Sequence, residues 1–216
     1  MKSPLRIHQQ INMGLAAILL LALASIFLVI EFKVKPDLTA ERQRQISVNQ
    51  QALNELLSAQ LEKIQLLTST LALASTQLPK DEALFKKVFP DIINNHGDTS
   101  IAGGGIWPEP STFTQGTERR SFFWGRDGSK MTYLDDYNDP TGTGYHNEGW
   151  YTVGRNSTTK ICAWSEAYID SVTGIPMVTC TIPMKTNNQF TGVATVDMML
   201  DGVTETLEQY GTENQG

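Results

Sequence analysis

The 216-residue sequence predicts an α+β fold in which a long N-terminal helix packs on one antiparallel β-sheet. Leucine and isoleucine recur at helical steps over residues 36–75, and no glycine or proline interrupts the run after Pro36. Beyond about residue 100, short apolar runs alternate with turns rich in Gly, Asp and Asn, which is typical of antiparallel strands. Helices therefore come first and strands follow, as expected of one α+β domain with a helical extension.

Residues 11–30 are the one strong targeting signal. They carry no charged side chain and are long enough to cross ~30 Å of hydrocarbon as a helix. Lys2 and Arg6 precede them, which favours a cytoplasmic N-terminus. Ala22-Leu23-Ala24 fits the cleavage site of a signal peptide, but the apolar run continues beyond it. We therefore expect an uncleaved membrane anchor within residues 1–35, with the rest of the chain outside the cytoplasm.

The helical segment over residues 36–78 is too long for a small domain to cover along its whole length. We expect its membrane-near part to pair with a second copy in a homodimer and its far part to pack on the sheet. An ordinary long core helix is the alternative. Pro79 ends this segment, and residues 80–89 have the apolar pattern of a second, short helix that Pro90 is expected to stop.

The second half of the chain predicts about five strands. A hairpin is expected around the Asp127-Gly128 turn, because Asp-Gly is a strong hairpin signal. Residues 135–149 hold too many turn formers for regular structure, and Trp150-Tyr151 is expected to open a short helix or turn. The predicted strands cover residues 103–108, 121–124 with 131–134, 160–169, 175–183 and 189–200, and a last helix is expected over 201–210.

Aromatic and acidic side chains concentrate in residues 133–170. Seven aromatic rings and six carboxylates lie in this stretch, although the whole chain is only 8% aromatic. Aromatic faces interleaved with carboxylates are what a pocket for a small organic cation needs. A half-buried β-region with core aromatics and solvated acids would have the same composition, so both interpretations stay open.

Cys162 and Cys180 are the only cysteines. They flank a turn-like segment at residues 170–174, so two antiparallel strands could set them side by side. An oxidising compartment would allow a disulfide between them, and two buried free thiols are the alternative.

Other classes of function find little support. The net charge of −6 and the lack of a basic patch argue against nucleic acid. Beyond the anchor the only histidines are His96 and His146, neither in a catalytic motif, so no enzyme and no cofactor are expected. A calcium loop starting at Asp136 would need Gly and Glu where Thr141 and Asn147 stand.

Several motifs, in order, resemble the double Cache sensor domains. They are the long helix after an anchor, the hairpin at 123–128, the Trp150-Tyr151 pair, and residues 164–170 and 192–197. These domains are the periplasmic or extracellular input domains of bacterial chemotaxis receptors, histidine kinases and diguanylate cyclases. The resemblance covers about residues 41–208.

The resemblance implies a PAS-like module with an antiparallel sheet over residues 79–208, distal to the inner membrane and in the periplasm. Residues 209–216 would begin a second, proximal module. It also implies small-molecule sensing, with a methyl-accepting chemotaxis protein as the favoured receptor type and a kinase or cyclase as alternatives.

Amino-acid-binding members of that family hold the ligand carboxylate with an Arg-x-Trp-Tyr motif. They hold its ammonium group with a Tyr-x-Asp motif and a later Asp. By resemblance, Trp150 and Tyr151 match the first motif, Tyr168 and Asp170 the second, and Asp197 the later Asp.

The arginine position of the first motif is Glu148 here. A carboxylate cannot pair the carboxylate of an amino acid, so the expected ligand is a small amine or polyamine. Tyr145, Asp136 and Trp124 are weaker candidates for the pocket wall. An amino-acid sensor and a dimerisation module without a ligand are the alternatives.

Overall fold

The computed structural model describes residues 4–201. The helices are α1 (Pro4–Val29), α2 (Lys35–Gln77), α3 (Glu82–Asn94) and α4 (Gly149–Arg155), with a π-helical segment, Ile30–Val34, between α1 and α2. The strands are β1 (Ile101–Pro108), β2 (Phe122–Asp127), β3 (Lys130–Leu134), β4 (Ala163–Trp164), β5 (Tyr168–Ile169), β6 (Pro176–Thr186) and β7 (Gln189–Met199). The chain divides into two compact units, Met1–Asn54 and Glu55–Gly216.

The described residues of the first unit, from Pro4 onward, are helical. In the part of the chain that the structure describes, one helix is long and apolar enough to cross a membrane, with a window of mean hydropathy 2.8. None of that window is buried within the protein. The segment predicted as an anchor is therefore helical, and its place in a membrane stays a prediction.

The second unit has an apolar core between helices and sheet. The buried residues of α2 are Ile64, Thr68, Leu71 and Ala72, spaced to lie on one face of the helix. The apolar three of them join Phe85, Phe89 and Ile93 of α3 in a cluster against one face of the sheet. The predicted packing of the far part of the long helix on an antiparallel sheet, and with it the α+β fold, is confirmed.

Pro90 does not stop α3 as the sequence predicted. The helix continues to Asn94 and ends where Asn95 adopts a left-handed conformation with φ of 41°. A proline removes only its own N–H from the helical hydrogen bonds. Ile93, fully buried, extends the apolar row formed by Phe85 and Phe89. We attribute the extra turn to that burial, which compensates the missing bond.

The sheet has seven antiparallel strands, in the order β3-β2-β1-β7-β6-β4, with β5 also paired to β6. The predicted hairpin is present, and Asp127 pairs with Lys130 across a turn in which Gly128 has φ of 58°. The strand predicted over residues 160–169 is divided into β4 and β5. Between them the Ser165 hydroxyl, and not a backbone carbonyl, accepts the Thr179 N–H at 2.9 Å. The helix predicted over 201–210 lies outside the described residues apart from Asp201.

Cys162 and Cys180 form a disulfide, with their Cα atoms 5.1 Å apart. The pairing of β4 with β6 places Trp164 opposite Cys180 and Ala163 opposite Thr181, so Cys162 lies one residue beyond the ladder. That separation is within the usual range for disulfides. The bond joins the end of the 156–162 loop to the centre of β6.

The opposite face of the sheet carries a second cluster, which is mainly aromatic. Its buried members are Trp107, Phe123, Tyr137, Tyr145, Trp150, Tyr151 and Val193. They come from β1, β2 and β7, from the loop after β3 and from α4. The sheet thus separates a helix-covered side, whose core mixes aliphatic and aromatic residues, from a mainly aromatic side covered by α4 and a long loop.

Candidate functional site

Asp197 lies at the centre of the aromatic side of the sheet. It is opposite Gly103 on β1 and opposite Thr179 on β6, and only 3% of it is exposed. A Cβ on Gly103 would lie 2.6 Å from the Trp124 carbonyl oxygen and 3.4 Å from Asp197 Oδ2. The glycine therefore lets β1 and β2 approach closely beside the carboxylate.

A chain of hydroxyl groups reaches Asp197. The Thr179 hydroxyl donates to Asp197 Oδ1 over 2.8 Å, and the Tyr168 hydroxyl lies 2.8 Å from the Thr179 oxygen. Because Thr179 has a single hydroxyl proton and gives it to Asp197, Tyr168 is the donor to Thr179. This chain fixes the position of the carboxylate from two strands.

Asp170 is the second buried carboxylate, and it organises the turn at residues 170–174. Its Oδ2 accepts from the Val172 and Thr173 N–H groups at 3.2 and 2.7 Å and from the Thr173 hydroxyl at 2.8 Å. Its Oδ1 accepts from the Tyr137 hydroxyl at 2.6 Å. Asp170 therefore has a structural role in the turn as well as a negative charge beside the site.

A closed aromatic cavity adjoins both carboxylates, and its side chains pack so closely that no water molecule would fit between them. The Trp107 and Trp150 ring centroids are 4.5 Å apart, and Trp107 and Tyr137 meet edge to face at 5.1 Å. Trp107 Nε1 donates to Thr195 Oγ1 over 2.8 Å, which fixes the indole. The cavity is lined by Trp107, Phe123, Tyr137, Trp150, Tyr168, Asp170, Thr195 and Asp197.

Glu148 adds a third carboxylate at the entrance to α4. It is the residue before Gly149, half-buried, and its side chain does not cap the helix. Burial raises the pKa of Glu148, and the charge of Asp170 raises it further. Glu148 is thus close enough to Asp170 for the two charges to interact.

The charge in this site is uncompensated. Burial raises the pKa of Asp197 to about 7, with Asp170 adding to the rise and the Thr179 hydrogen bond opposing it. Burial and Asp197 also raise the pKa of Tyr168 above its ordinary value. Within residues 4–201, no Lys, Arg or His forms an ion pair with Glu148, Asp170 or Asp197.

The four arginines of the second unit bind elsewhere, and Arg155, the nearest to Glu148 in sequence, pairs with Glu109. Arg126 donates to the carbonyl oxygens of Ile101 and Asp98, and Arg120 pairs with Glu82 on α3. Arg119 donates to backbone carbonyls of the 135–149 loop. A buried acidic site without a basic neighbour is chemically suited to hold a cation.

The structure brings together only part of the predicted site. Trp150, Tyr168, Asp170 and Asp197 line the cavity, and Glu148 lies beside it. Tyr151 and Tyr145 belong to the same aromatic cluster, but their hydroxyls donate away from the cavity, to Glu109 Oε1 and to the Pro108 carbonyl, both at 2.6 Å.

Two further predicted residues are not at the cavity. Trp124 packs on the helix side of the sheet, with its ring centroid 6.2 Å from that of Phe89, because neighbouring strand residues face opposite sides. Phe123 lies at the cavity in its place. Asp136 is exposed in a short 3-10 turn, and the adjacent Tyr137 points inward.

Four cavity residues were absent from the predicted site, namely Trp107, Phe123, Tyr137 and Thr195. Thr195 could have been found, since it is two residues before Asp197 on the same strand and therefore shares its face. Trp107 and Phe123 depend on the register of β1 and β2. Tyr137 comes from an irregular loop whose path no periodicity indicates.

Comparison with known proteins gives a family. The family model described as "Methyl-accepting chemotaxis protein-like, first PDC sensor domain" matches residues 86–205. The comparison with curated proteins gave no match.

Solved structures share the fold. An extracellular domain ascribed to the histidine kinase soHK1S-Z6 is 25% identical with a TM-score of 0.65, and the match covers 80% of this chain and 66% of that one. Ligand-binding domains of the Campylobacter jejuni chemoreceptor Tlp3, in complex with 4-methylisoleucine and with L-norvaline, are each 13% identical with TM-scores of 0.54 and 0.55. Both matches cover 82% of this chain and 64% of theirs. The chain thus spans a little under two thirds of the length of the solved domains that it matches.

Proposed function

We propose that this chain, which belongs to the methyl-accepting chemotaxis protein-like first PDC sensor domains, senses a small cationic amine. Membership of that family confirms the resemblance to Cache sensors found in the sequence, and the family and its solved neighbours are sensor domains, not enzymes. The chain is therefore an extracellular-type sensor domain of the chemoreceptor or histidine kinase kind.

One observation carries the choice of an amine. Asp170 and Asp197 line one aromatic cavity and Glu148 lies beside it, and within residues 4–201 none of the three pairs with a basic side chain. An ammonium ion would supply the missing positive charge. Its contact with an aromatic face contributes up to ~2 kcal/mol when desolvated, and each charged hydrogen bond contributes about 1.5–3 kcal/mol. These contributions together support binding at micromolar concentrations.

An α-amino acid suits the same site less well. Its carboxylate needs a cationic or strongly donating partner, and the position that carries arginine in the amino-acid motif is Glu148 here. Two like charges at close range in a partly buried site repel each other by several kcal/mol. Tlp3 has been solved with the amino acids L-valine and L-norvaline. In this chain an amino acid would have to displace or neutralise Glu148.

The cavity is closed in this structure. The side chains that line it pack so closely that no water molecule would fit between them. A small amine and a polyamine would therefore both require the loop over the cavity to open. Both ligands stay within the proposal.

The receptor context is also part of the proposal. We place α1 in the inner membrane of a bacterium and the sensor domain in the periplasm, with a methyl-accepting chemotaxis protein as the favoured receptor. A histidine kinase or diguanylate cyclase would use the same input domain. A homodimer through α2 would bring two such domains together.

Contacts from the site to α2 offer a route for the signal. Lys63 of α2 pairs with Asp98 at 2.6 Å, and Gln60 of α2 donates to the Ser100 hydroxyl. The Ser100 carbonyl in turn accepts the N–H of Met199, two residues after Asp197, at 2.9 Å. A ligand that shifts β7 would thereby bias the position of α2, which amounts to a population shift between two states of the receptor.

A matched pair of ligands tests the proposal. Isoleucine and 2-methylbutylamine differ only in the carboxylate, and each would be added to the full chain in detergent while the thermal midpoint is measured. A ligand at 100 times its Kd stabilises the folded state by about 2.7 kcal/mol, which raises the midpoint by several degrees. We expect the amine, and not isoleucine, to do so. A shift with isoleucine alone would identify an amino-acid sensor. No shift across amine and amino-acid panels would favour a dimerisation module.

A further inference from the structure

The surroundings of Asp197 leave its charge without a partner until a cation arrives. The groups that face its side of the sheet come from five strands, a turn, a loop and α4, all in the second unit. They are Gly103 of β1, Phe123 of β2, Tyr168 of β5, Thr179 of β6, Thr195 of β7, Asp170 and Tyr137 of the turn and loop, and Trp150 of α4 with Glu148 before it. The only charged side chains among them are carboxylates.

Such a cluster cannot hold all its negative charges when it is empty. Two carboxylates in one poorly solvated site raise each other's affinity for a proton. Two N–H groups and two hydroxyls donate to the carboxylate of Asp170, and these bonds favour its ionised form. Asp197 has only the Thr179 hydroxyl as a donor among the described residues, so it is the member that a proton neutralises most easily.

The hydroxyl chain accommodates either form of Asp197. With a carboxylate, Tyr168 donates to Thr179 and Thr179 donates to Asp197 Oδ1. With a carboxylic acid, the same contacts can reverse, because each hydroxyl can accept as well as donate. No heavy atom has to move, so the site can change its protonation without losing a hydrogen bond.

We propose that this site exchanges a proton for its cation, with Asp197 protonated when no cation is bound and ionised when an ammonium ion is bound. The inference rests on the proposed amine function. In the exchange, the carboxylic acid of Asp197 and the ammonium ion of the ligand give a carboxylate–ammonium pair and one proton released to solvent. No bond to carbon changes and no electron is transferred.

The exchange makes amine binding depend on pH. Burial holds the pKa of Asp197 near 7, while simple amines stay protonated to a pH of about 10, so the charge of the ligand is constant across the range that matters. Below about pH 7, each unit of acidification weakens amine binding by up to tenfold, because binding must first displace the proton. Above it, the affinity becomes independent of pH.

Calorimetric titration of 2-methylbutylamine into the full chain in detergent tests this exchange. The titration is repeated at about pH 6 and about pH 8 in phosphate and in a zwitterionic sulfonate buffer, whose ionisation enthalpies differ. We expect about one proton released per bound amine at the lower pH and almost none at the higher, with the Kd about tenfold weaker at the lower pH. A Kd and heat independent of both buffer and pH would overturn the inference and leave the amine function standing.

Substitutions identify the carboxyl group that releases the proton. Asp197→Asn cannot release one, so its binding should be weak and independent of pH. Glu166→Gln, an equivalent change at an exposed carboxylate outside the cavity, should behave as wild type. If Glu148→Gln abolished the proton release and Asp197→Asn did not, the assignment to Asp197 would be wrong.

If the amine does not bind at either pH, the proposed function fails, and the inference is decided on the ligand-free chain. The carboxyl resonance of Asp197, identified by its loss in Asp197→Asn, would be titrated by carbon NMR. A titration midpoint near pH 7 would support protonation of Asp197 in the ligand-free site. A midpoint near pH 4 would overturn the inference.

Discussion

The hydroxyl of Thr179 and the carboxylate of Asp197 form a 2.8 Å hydrogen bond across the two neighbouring strands β6 and β7. Thr179 is fully buried and Asp197 is 3% exposed. The bond is the only donor contact to Asp197 within the described part of the chain. The properties of the site therefore depend on a single hydroxyl.

Thr179→Val removes that hydroxyl with almost no change of shape. We expect the pKa of Asp197 to rise, because the hydrogen bond favours the ionised form, and amine affinity at neutral pH to fall roughly tenfold. Calorimetry at about pH 7 measures the loss. Thr132→Val, at an exposed position on β3, is the matched control and should bind like wild type. Equal losses in the two variants would show that the effect is not specific to the site.

The stability of the sensor unit should depend on the protonation of Asp197. Its pKa of about 7 in the folded chain lies above the ordinary 3.8. Between about pH 4 and pH 7 the folded state therefore binds more protons than the unfolded state, and the free energy of unfolding falls as pH rises. The full effect is at most about 4 kcal/mol, and it levels off above pH 7.

Chemical unfolding of the full chain in detergent, followed by tryptophan fluorescence, measures this dependence. The difference between wild type and Asp197→Asn isolates the contribution of Asp197 from those of other acids. We expect wild type to lose stability relative to the variant as pH rises through this window. A difference that is flat with pH would contradict a raised pKa.

Arg119 is expected to hold the loop that covers the cavity. Its Nη1 donates to the carbonyl oxygens of Asp139 and Gly142 at 2.5 and 2.8 Å. Its guanidinium packs on Gly144, where φ is 73° and a Cβ would lie 2.6 Å from Nε. The same loop carries Tyr137 and leads into Glu148.

Arg119→Lys cannot bind both carbonyls in the same geometry. We expect faster association and dissociation of the amine, a several-fold weaker Kd, and a midpoint of unfolding that changes little, because the contact is near the surface. Stopped-flow tryptophan fluorescence gives the two rates. Arg155→Lys, at the exposed end of α4, should leave both rates unchanged. Unaltered association and dissociation rates in Arg119→Lys would show that this loop does not control access of the ligand to the cavity.

Glu148→Arg should shift the preference of the site. The new side chain would repel an amine and offer a bidentate partner to a carboxylate. We expect the Kd for 2-methylbutylamine to weaken by roughly a hundredfold, about 2.7 kcal/mol, and binding of isoleucine to appear. The control is Glu166→Arg, an equal change of charge away from the cavity. Retained amine preference in Glu148→Arg would show that Glu148 does not select the ligand.

The elements that the sequence predicted best are those with a long or regular pattern. The apolar row of α2 and the Asp127-Gly128 turn each give a local signal that packing did not override. The prediction that Pro90 stops α3 was wrong, because the burial of Ile93 outweighed the local tendency of proline to end a helix. The division of β4 from β5 depends on a hydrogen bond that the Thr179 N–H donates to the Ser165 hydroxyl, and no pattern of hydrophobicity indicates such a bond.

The site was predictable where its residues are acidic or follow the family motif. Asp170, Asp197, Tyr168 and Trp150 were found in this way. The choice between Phe123 and Trp124 depended on which of two adjacent aromatics faces the cavity. Only the pairing of β2 with its neighbours decides that, and strand register is a long-range property.

The most direct test of the account is the ratio of two dissociation constants, measured by calorimetry on the full chain at about pH 8. The ligands are 2-methylbutylamine and isoleucine, which differ only in the carboxylate. An acidic aromatic cavity without a basic partner predicts that the amine binds at least about a hundredfold more tightly. Equal affinities, or tighter binding of isoleucine, would contradict the assignment of this domain to amines.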